Sequence, residues 1–335
     1  MKDSVFPWFR AGGKKPLGTQ IREIHEILST YRRWPGYYFR YRAYLLGPDR
    51  AAELMPPRLV DKMRQRLNDG CDYDLVVDKR RFRARMEASG IPVVREILSK
   101  YAPDQILDAD SQPMPPDAAA ALLRDYGGEL FVKPLGGSLG RDAFIARQGA
   151  SLSFLQDDKA WIVQERLRQH PDLETLYPGS INTLRVVTTT EGGVPHFEMV
   201  TLRIGAGGSW IDNAGSGGLA APVDIETGRI GRPATRRYEY DPDQTQHAVH
   251  PDTGTPIVGF EFPFFREALD LVTDAAKALP ELSSVGWDIA VLPDGPVLIE
   301  ANGAWSADLF FRHYPVRFTR IGQLAYETYV AGPGT

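Results

Sequence analysis

Residues 286–302 read GWDIAVLPDGPVLIEAN, and no other stretch constrains the fold as much. Two runs with the period-2 alternation of strands flank Pro293, Asp294 and Gly295, which together suit a three-residue hairpin loop. In that hairpin Leu292 faces Pro296, Ala290 faces Leu298 and Asp288 faces Glu300. Opposed residues share a face with Cβ atoms about 4.5–5.5 Å apart, and Asn302 lies on the same face. Trp287, Ile289, Val291, Val297, Ile299 and Ala301 are expected on the other face, against the core. Three oxygen-bearing side chains therefore converge at one end of a sheet. Two carboxylates so close resist joint ionisation unless a cation lies between them. An all-oxygen set favours Mg2+ or Mn2+ over zinc. The same pattern also suits rim carboxylates bonded to their neighbours, or a general acid/base pair.

The remaining strand signals do not alternate regularly with helices. Residues 180–232 read as a meander: INTLRVVTTT, the turn EGG, HFEMVTLRIG, a Gly-rich loop, then LAAPVDI. ELFVKP, DAFIAR and KAWIVQERL read as strands, as does IPVV. Helices are expected over Gln20–Arg33 with Thr19 as N-cap, over 78–90 between Asp78 and Gly90, over PPDAAAALLRDYGG, over Phe264–Leu279 and over Val316–Val330. Such a mixture indicates an α+β fold rather than a doubly wound parallel sheet.

With 335 residues, 43% apolar and 24% charged, the chain can build two or three packed units. Its net charge of −4 gives no global reason to expect a nucleic-acid partner. One cysteine, Cys71, rules out an internal disulfide and a cysteine metal cluster. No apolar run is long enough for a transmembrane helix, and the first residues lack the apolar core of a secretion signal. A cytoplasmic location is expected. The segment YRRWPGYYFRYRAYLLGPDR interleaves aromatics and arginines, as polyanion and membrane-surface binders do. The alternative is a segment that lays its aromatics on the main body.

Two further stretches bear on chemistry. FVKPLGGSLGRD carries Gly136, Gly137, Ser138 and Gly140 behind Lys133. Its flexible backbone can aim several N–H groups at one anion, although a plain surface turn has the same composition. It matches neither a Walker A loop nor a dinucleotide fingerprint. Arg185 and Arg203 fall on neighbouring strands of the meander. Side by side they repel unless an anion lies between them; Arg185 otherwise pairs with a carboxylate such as Glu198. Asn182 and Asn213 are candidate neutral donors, and His250 is a lone loop imidazole.

Taken in order, Lys79, Lys133, the 136–140 loop, Gln164-Glu165 and the 288/300/302 hairpin resemble the ATP-grasp superfamily over residues 75–315. QERLRQHPDLETLYPGSINTLRVVT, DNAGSGG, HPDTGTPIVGFEFP and VGWDIAVLPDGPVLIEAN resemble its sugar-transfer-associated family. The resemblance implies an ATP-grasp fold with two α+β subdomains clasping ATP and a short helical N-terminal extension. The expected boundaries are 1–74 for the extension, 75–168 for the lobe with the glycine flap and 169–335 for the lobe with the metal hairpin. It also implies Lys79 and Lys133 on the α and β phosphates, and Gly136–Gly140 as a flap. Gln164, Glu165 and Leu167 would read adenine, with His170 or Asp172 near the ribose. Asp288, Glu300 and Asn302 would hold Mg2+ or Mn2+. Arg203, Arg185, Asn213 and Asn182 would serve γ-phosphate and oxyanion. The implied reaction joins a small-molecule carboxylate to an amine through an acylphosphate. A phosphotransferase acting on a hydroxyl, and a nucleotide-binding scaffold, stand as alternatives.

Overall fold

The structure is a computed structural model that describes residues 8–45, 47, 53–135, 142–209, 217–237, 241, 245–307, 310 and 314–332. Two six-stranded antiparallel sheets organise it. The first contains β1 (Glu96–Ala102), β2 (Gln105–Asp108), β3 (Pro113–Met114), β4 (Leu130–Pro134), β5 (Phe144–Ala146) and β6 (Trp161–Glu165), in the order β3-β2-β1-β6-β4-β5. The second contains β7 (Thr183–Glu191), β8 (Val194–Ile204), β9 (Leu219–Pro222), β10 (Thr235–Arg236), β11 (Ser284–Leu292) and β12 (Gly295–Asn302), in the order β10-β9-β8-β7-β11-β12. Antiparallel strands within both sheets give the α+β class that the irregular strand spacing indicated.

Alternation along β7 and β8 explains how the second sheet is clad. Leu184, Val186, Val200, Leu202 and Ile204 point to one face and pack with Leu269, Val272 and Ala276 of the helix Phe265–Ala278. Val187 and Met199 point to the other, beneath Trp305, Phe310 and buried N-terminal aromatics. Arg185, Thr201 and Arg203 alternate onto that second face, next to Val187 and Met199. One face of one sheet thus has an apolar end covered by the N-terminal region and a polar end. Tyr37, Tyr38, Phe39, Tyr41 and Tyr44 are all buried in this cover, so most of the aromatic–arginine segment lies on the main body.

Helix ends follow local chemistry where the sequence offers a cap. Asp78 accepts hydrogen bonds from the N–H groups of Arg80 (2.9 Å) and Arg81 (3.2 Å), which starts the helix Lys79–Ala88. The first long helix runs Leu17–Tyr31 from Pro16, without a side-chain cap, so Thr19 lies inside it rather than at its start. IPVV forms no strand: Val93 makes an isolated bridge to Leu298, and the chain passes on into the first sheet. The helix Pro57–Leu67 had no reading from sequence.

That helix secures the open end of the hairpin β11–β12. Asn68, which follows it, is fully buried. Its Oδ1 accepts from the Ser284 N–H (2.8 Å), while its Nδ2 donates to the Ser284 carbonyl (2.7 Å) and the Gly303 carbonyl (3.4 Å). The side-chain amide stands where another strand's peptide group would stand. Gly286 leaves room for Trp305, whose Cβ would lie 2.8 Å from any Cβ at 286. Asn68→Ala leaves three buried main-chain groups short of a partner and is expected to cost about 3 kcal/mol of unfolding free energy. Urea denaturation measures this, and a loss below about 1 kcal/mol would show that the clasp is replaced by water.

Candidate active site

Three adjacent strands set the centre of the site. Arg185 on β7 lies opposite Asp288 on β11 and opposite Thr201 on β8, while Arg203 lies opposite Thr183. The two arginines are therefore diagonal neighbours on one face. Arg185 grips both oxygens of Asp288, through Nε to Oδ1 and through Nη2 to Oδ2 at 2.8 Å. Arg203 approaches the same Oδ2 at 3.1 Å and is steadied by donating to Thr183 Oγ1 from Nε (2.8 Å) and Nη2 (2.6 Å). The anion required between two guanidiniums is thus the Asp288 carboxylate. Burial alone would raise the Asp288 carboxyl. The Arg185 and Arg203 charges more than offset this and hold it at about 2. Arg185 does not pair with Glu198. That carboxyl accepts from Thr189 Oγ1 and from the Ile321 N–H (3.2 Å), and burial pushes its pKa up.

The hairpin places Glu300 opposite Asp288, as expected, but by another route. Leu292 pairs with Gly295, so the turn is the two residues Pro293 and Asp294. Ile289 then pairs with Leu298, and a bulge at Ile299 restores Asp288 to Glu300. The bulge also exchanges faces near the turn. Leu298, not Val297 or Ile299, joins Trp287, Ile289 and Val291 in the main core. Val297 and Ile299 pack instead with Val94, Ala290, Leu167 and Ile181. Asn302 donates to Glu300 Oε1 at 3.2 Å. Glu300 faces Asp288 directly across the hairpin.

Lys133 of the first sheet and Lys79 at the start of the helix Lys79–Ala88 come to the same place. Lys133, on β4, is half-buried and held at about 8. Loss of water is the largest cause; the Glu300 carboxylate opposes it and the neighbouring Lys79 ammonium adds to it. Lys79 Nζ donates to the Leu135 carbonyl at 2.9 Å. Lys79, Lys133, Arg185 and Arg203 outnumber Asp288 and Glu300. A desolvated ammonium beside a second one is stabilised by additional negative charge, so the donor set fits a polyphosphate.

At the end of β6, Gln164 is buried opposite Glu96 and Phe131, and the Glu165 N–H donates to the Arg95 carbonyl at 3.1 Å. Leu167 joins the small apolar cluster beside the hairpin. Gly136, Gly137, Ser138, Gly140 and Asn213 lie outside the described residues.

Asn182 faces inward. Its Nδ2 donates to Gln169 Oε1 (3.1 Å) and to the carbonyls of Leu173 and Tyr177 (both 2.9 Å), and its Oδ1 accepts from the Gly205 N–H. This geometry braces the loop rather than presenting a donor. His250 is buried too. Its Nε2 meets the Gly205 carbonyl at 2.8 Å, its Nδ1 accepts from the Asp252 and Thr253 N–H groups, and its ring stacks on Tyr177. His170 caps the helix Pro171–Leu176 by accepting from the Asp172 N–H. Thr183 was missed in the sequence. The alternation that put Arg185 on this face also puts Thr183 there.

Among solved structures, the chain is similar to the ATP-grasp ligase PsnB complexed with precursor peptide PsnA2 and AMPPNP, at 14% identity and a TM-score of 0.40, over 76% of this chain and 58% of that one. It is similar to biotin carboxylase from Campylobacter jejuni in its β,γ-ATP complex, at 11% identity and a TM-score of 0.46, over 78% and 48%. It is also similar to D-alanyl-alanine synthetase A from Vibrio cholerae O1 biovar eltor, at 10% and 0.44, over 77% and 66%. The chain spans about half the length of the first two. Likeness at this level says nothing of substrate. No curated protein matches the chain. Residues 150–311, the segment that holds both arginines and the hairpin, match the sugar-transfer associated ATP-grasp family.

Proposed function

We propose that this chain is an ATP-dependent ligase that joins a small-molecule carboxylate to an amine through an acylphosphate, releasing ADP and phosphate. One observation carries the reading. Asp288, Glu300, Arg185 and Arg203 meet on one sheet, and Lys133 of the other sheet senses both carboxylates. Lys79 and Lys133 are assigned to the α and β phosphates, and the 136–140 loop to a cover over them. The backbone at 165 and 167, beside the apolar cluster of Val94, Leu167 and Val297, takes the adenine ring. Asp288, Glu300 and Asn302 form an all-oxygen set that fits Mg2+ or Mn2+. When bound, such an ion draws charge from the β and γ phosphate oxygens.

The chain's own residues do the rest. Arg203 holds the phosphoryl group in transit. Arg185 steadies the oxyanion that forms when the amine attacks the acylphosphate. Asp288 holds both arginines on one face of the sheet before substrates arrive. Dependence on ATP fits a cytoplasmic location, and no described helix is long and apolar enough to cross a membrane.

Incubation with Mg-ATP and paired panels of carboxylates and amines should release ADP and phosphate only with a matched pair. Hydroxylamine should trap the activated acid as a hydroxamate. Glu300→Gln should lower kcat by about 10²-fold or more. A phosphoester product formed without any carboxylate would overturn the reading.

Lys133 gives a second test. Its charged form is disfavoured in the folded chain, a penalty that is full below about pH 8 and fades as pH rises toward the ordinary lysine value. Lys133→Met should therefore raise the unfolding temperature of the nucleotide-free protein at pH 7 while weakening ATP binding about 10-fold or more. Phosphate oxygens restore the ammonium, so ATP binding at pH 9 should take up protons. Calorimetry in buffers of different ionisation enthalpy measures this. Equal ATP affinity in the variant would remove Lys133 from the phosphate site.

A further inference from the structure

The helix Leu17–Tyr31 is inverted along its first two turns. Gln20 and Glu23 are each 3% exposed, while Leu17 and Ile21 are 61% and 59% exposed. Burying polar groups and exposing aliphatic ones runs against the hydrophobic effect. Specific hydrogen bonds impose this orientation. Gln20 accepts from Trp8 Nε1 (2.7 Å) and donates to the Lys15 carbonyl (2.6 Å). Glu23 accepts from Lys15 Nζ on one oxygen and from the Tyr38 hydroxyl on the other, both at 2.6 Å. Both ends of the amide and both oxygens of the carboxylate are satisfied, so the rotation that shows Leu17 and Ile21 to solvent is built into the fold.

Further apolar side chains are exposed near both ends of this helix. Phe9 is 69% exposed and sits edge-on to Trp8, and Trp34 is exposed beyond the far end of the helix. Of the eleven large hydrophobics exposed among the described residues, five lie between residues 8 and 45, which makes this a concentration rather than scatter. The same 38 residues hold eight Lys and Arg against two Glu, a net of +6 in a chain whose total is −4. Arg22 flanks Ile21 on the outward side, and Arg32 and Arg33 flank Trp34.

We propose that this face docks on an anionic lipid bilayer, with the helix lying in the membrane plane. Aliphatic and aromatic side chains set among arginines suit the headgroup boundary, where the apolar groups enter and the guanidiniums meet lipid phosphates. A second copy of the chain would set one basic segment against another, which charge disfavours. Nucleic acid would draw on the arginines but has no use for Leu17 and Ile21. The surface is separate from the ATP site, so it stands or falls independently of the reaction.

Flotation with lipid vesicles tests this on the full chain. Vesicles with one-third phosphatidylglycerol, about 33%, should carry the protein, and pure phosphatidylcholine vesicles should carry about tenfold less. The double variant Leu17→Glu/Ile21→Glu should lose about tenfold or more of the binding to anionic vesicles at unchanged unfolding temperature, since both side chains are exposed. Salt should weaken the wild-type binding without abolishing it. Absence of binding to either vesicle would overturn the proposal, as would full binding by the double variant. So would a single-stranded oligonucleotide that the protein binds as tightly as the anionic vesicles and that the double variant binds equally well.

Discussion

The Asp288 carboxylate between two guanidiniums is the interaction on which the rest of the site depends. It is 1% exposed, and a charge so placed is tolerated only because Arg185 and Arg203 surround it. Conversely, two arginines on adjacent strands are tolerated only because the carboxylate separates them. The three side chains therefore specify one another's position. They also fix strand order, because the pairing needs β7 between β8 and β11. The same trio is suited to phosphoryl chemistry. An incoming anion competes with Asp288 for the guanidiniums, while an incoming cation competes with the guanidiniums for Asp288. On the proposed function, nucleotide and metal together would satisfy both sides, whereas either alone would leave an imbalance.

Around this trio the two sheets play different parts. The second sheet supplies the arginines and the oxygen donors on rigid strands, with its apolar reverse face packed on the helix Phe265–Ala278. The first supplies Lys133, whose ammonium is disfavoured by loss of water and favoured by the Glu300 and Asp288 carboxylates of the second sheet. The N-terminal region is more than an appendage. Arg64 donates to the Trp305 carbonyl, and Asn68 joins Ser284 to Gly303, so the end of the hairpin that carries Asn302 is shaped by residues more than two hundred positions earlier in the chain.

Much of this was legible in the sequence, for identifiable reasons. Period-2 alternation placed Arg185, Arg203 and Asp288 on strands, and Asp78 and Gly90 bracketed a helix by local chemistry alone. The alternation puts Asp288 opposite Glu300 even with a three-residue turn, where the structure has a two-residue one. The bulge at Ile299 compensates, and a bulge leaves no mark in an alternating pattern. What was not legible is long-range. Arg185 meets Asp288 across 103 residues, and the register, which sets Arg185 opposite Asp288 on β11 and opposite Thr201 on β8, selects that carboxylate over Glu198. Asn182 resembled a catalytic donor because an amide's partners are set by the fold, here the carbonyls of Leu173 and Tyr177. The helix Leu17–Tyr31 buries Ile27 but shows Leu17 and Ile21 where periodicity would bury them, because a buried glutamate and glutamine outweigh those two aliphatic side chains in orienting it.

Titration of Mn2+ followed by water-proton relaxation, with and without ATP, tests the central claim most directly. Metal binding should be weak alone and tight once ATP is present, and the tight binding should be lost in both Asp288→Asn and Glu300→Gln while Glu198→Gln keeps it. Tight ATP-dependent binding that survives both hairpin substitutions would contradict the claim.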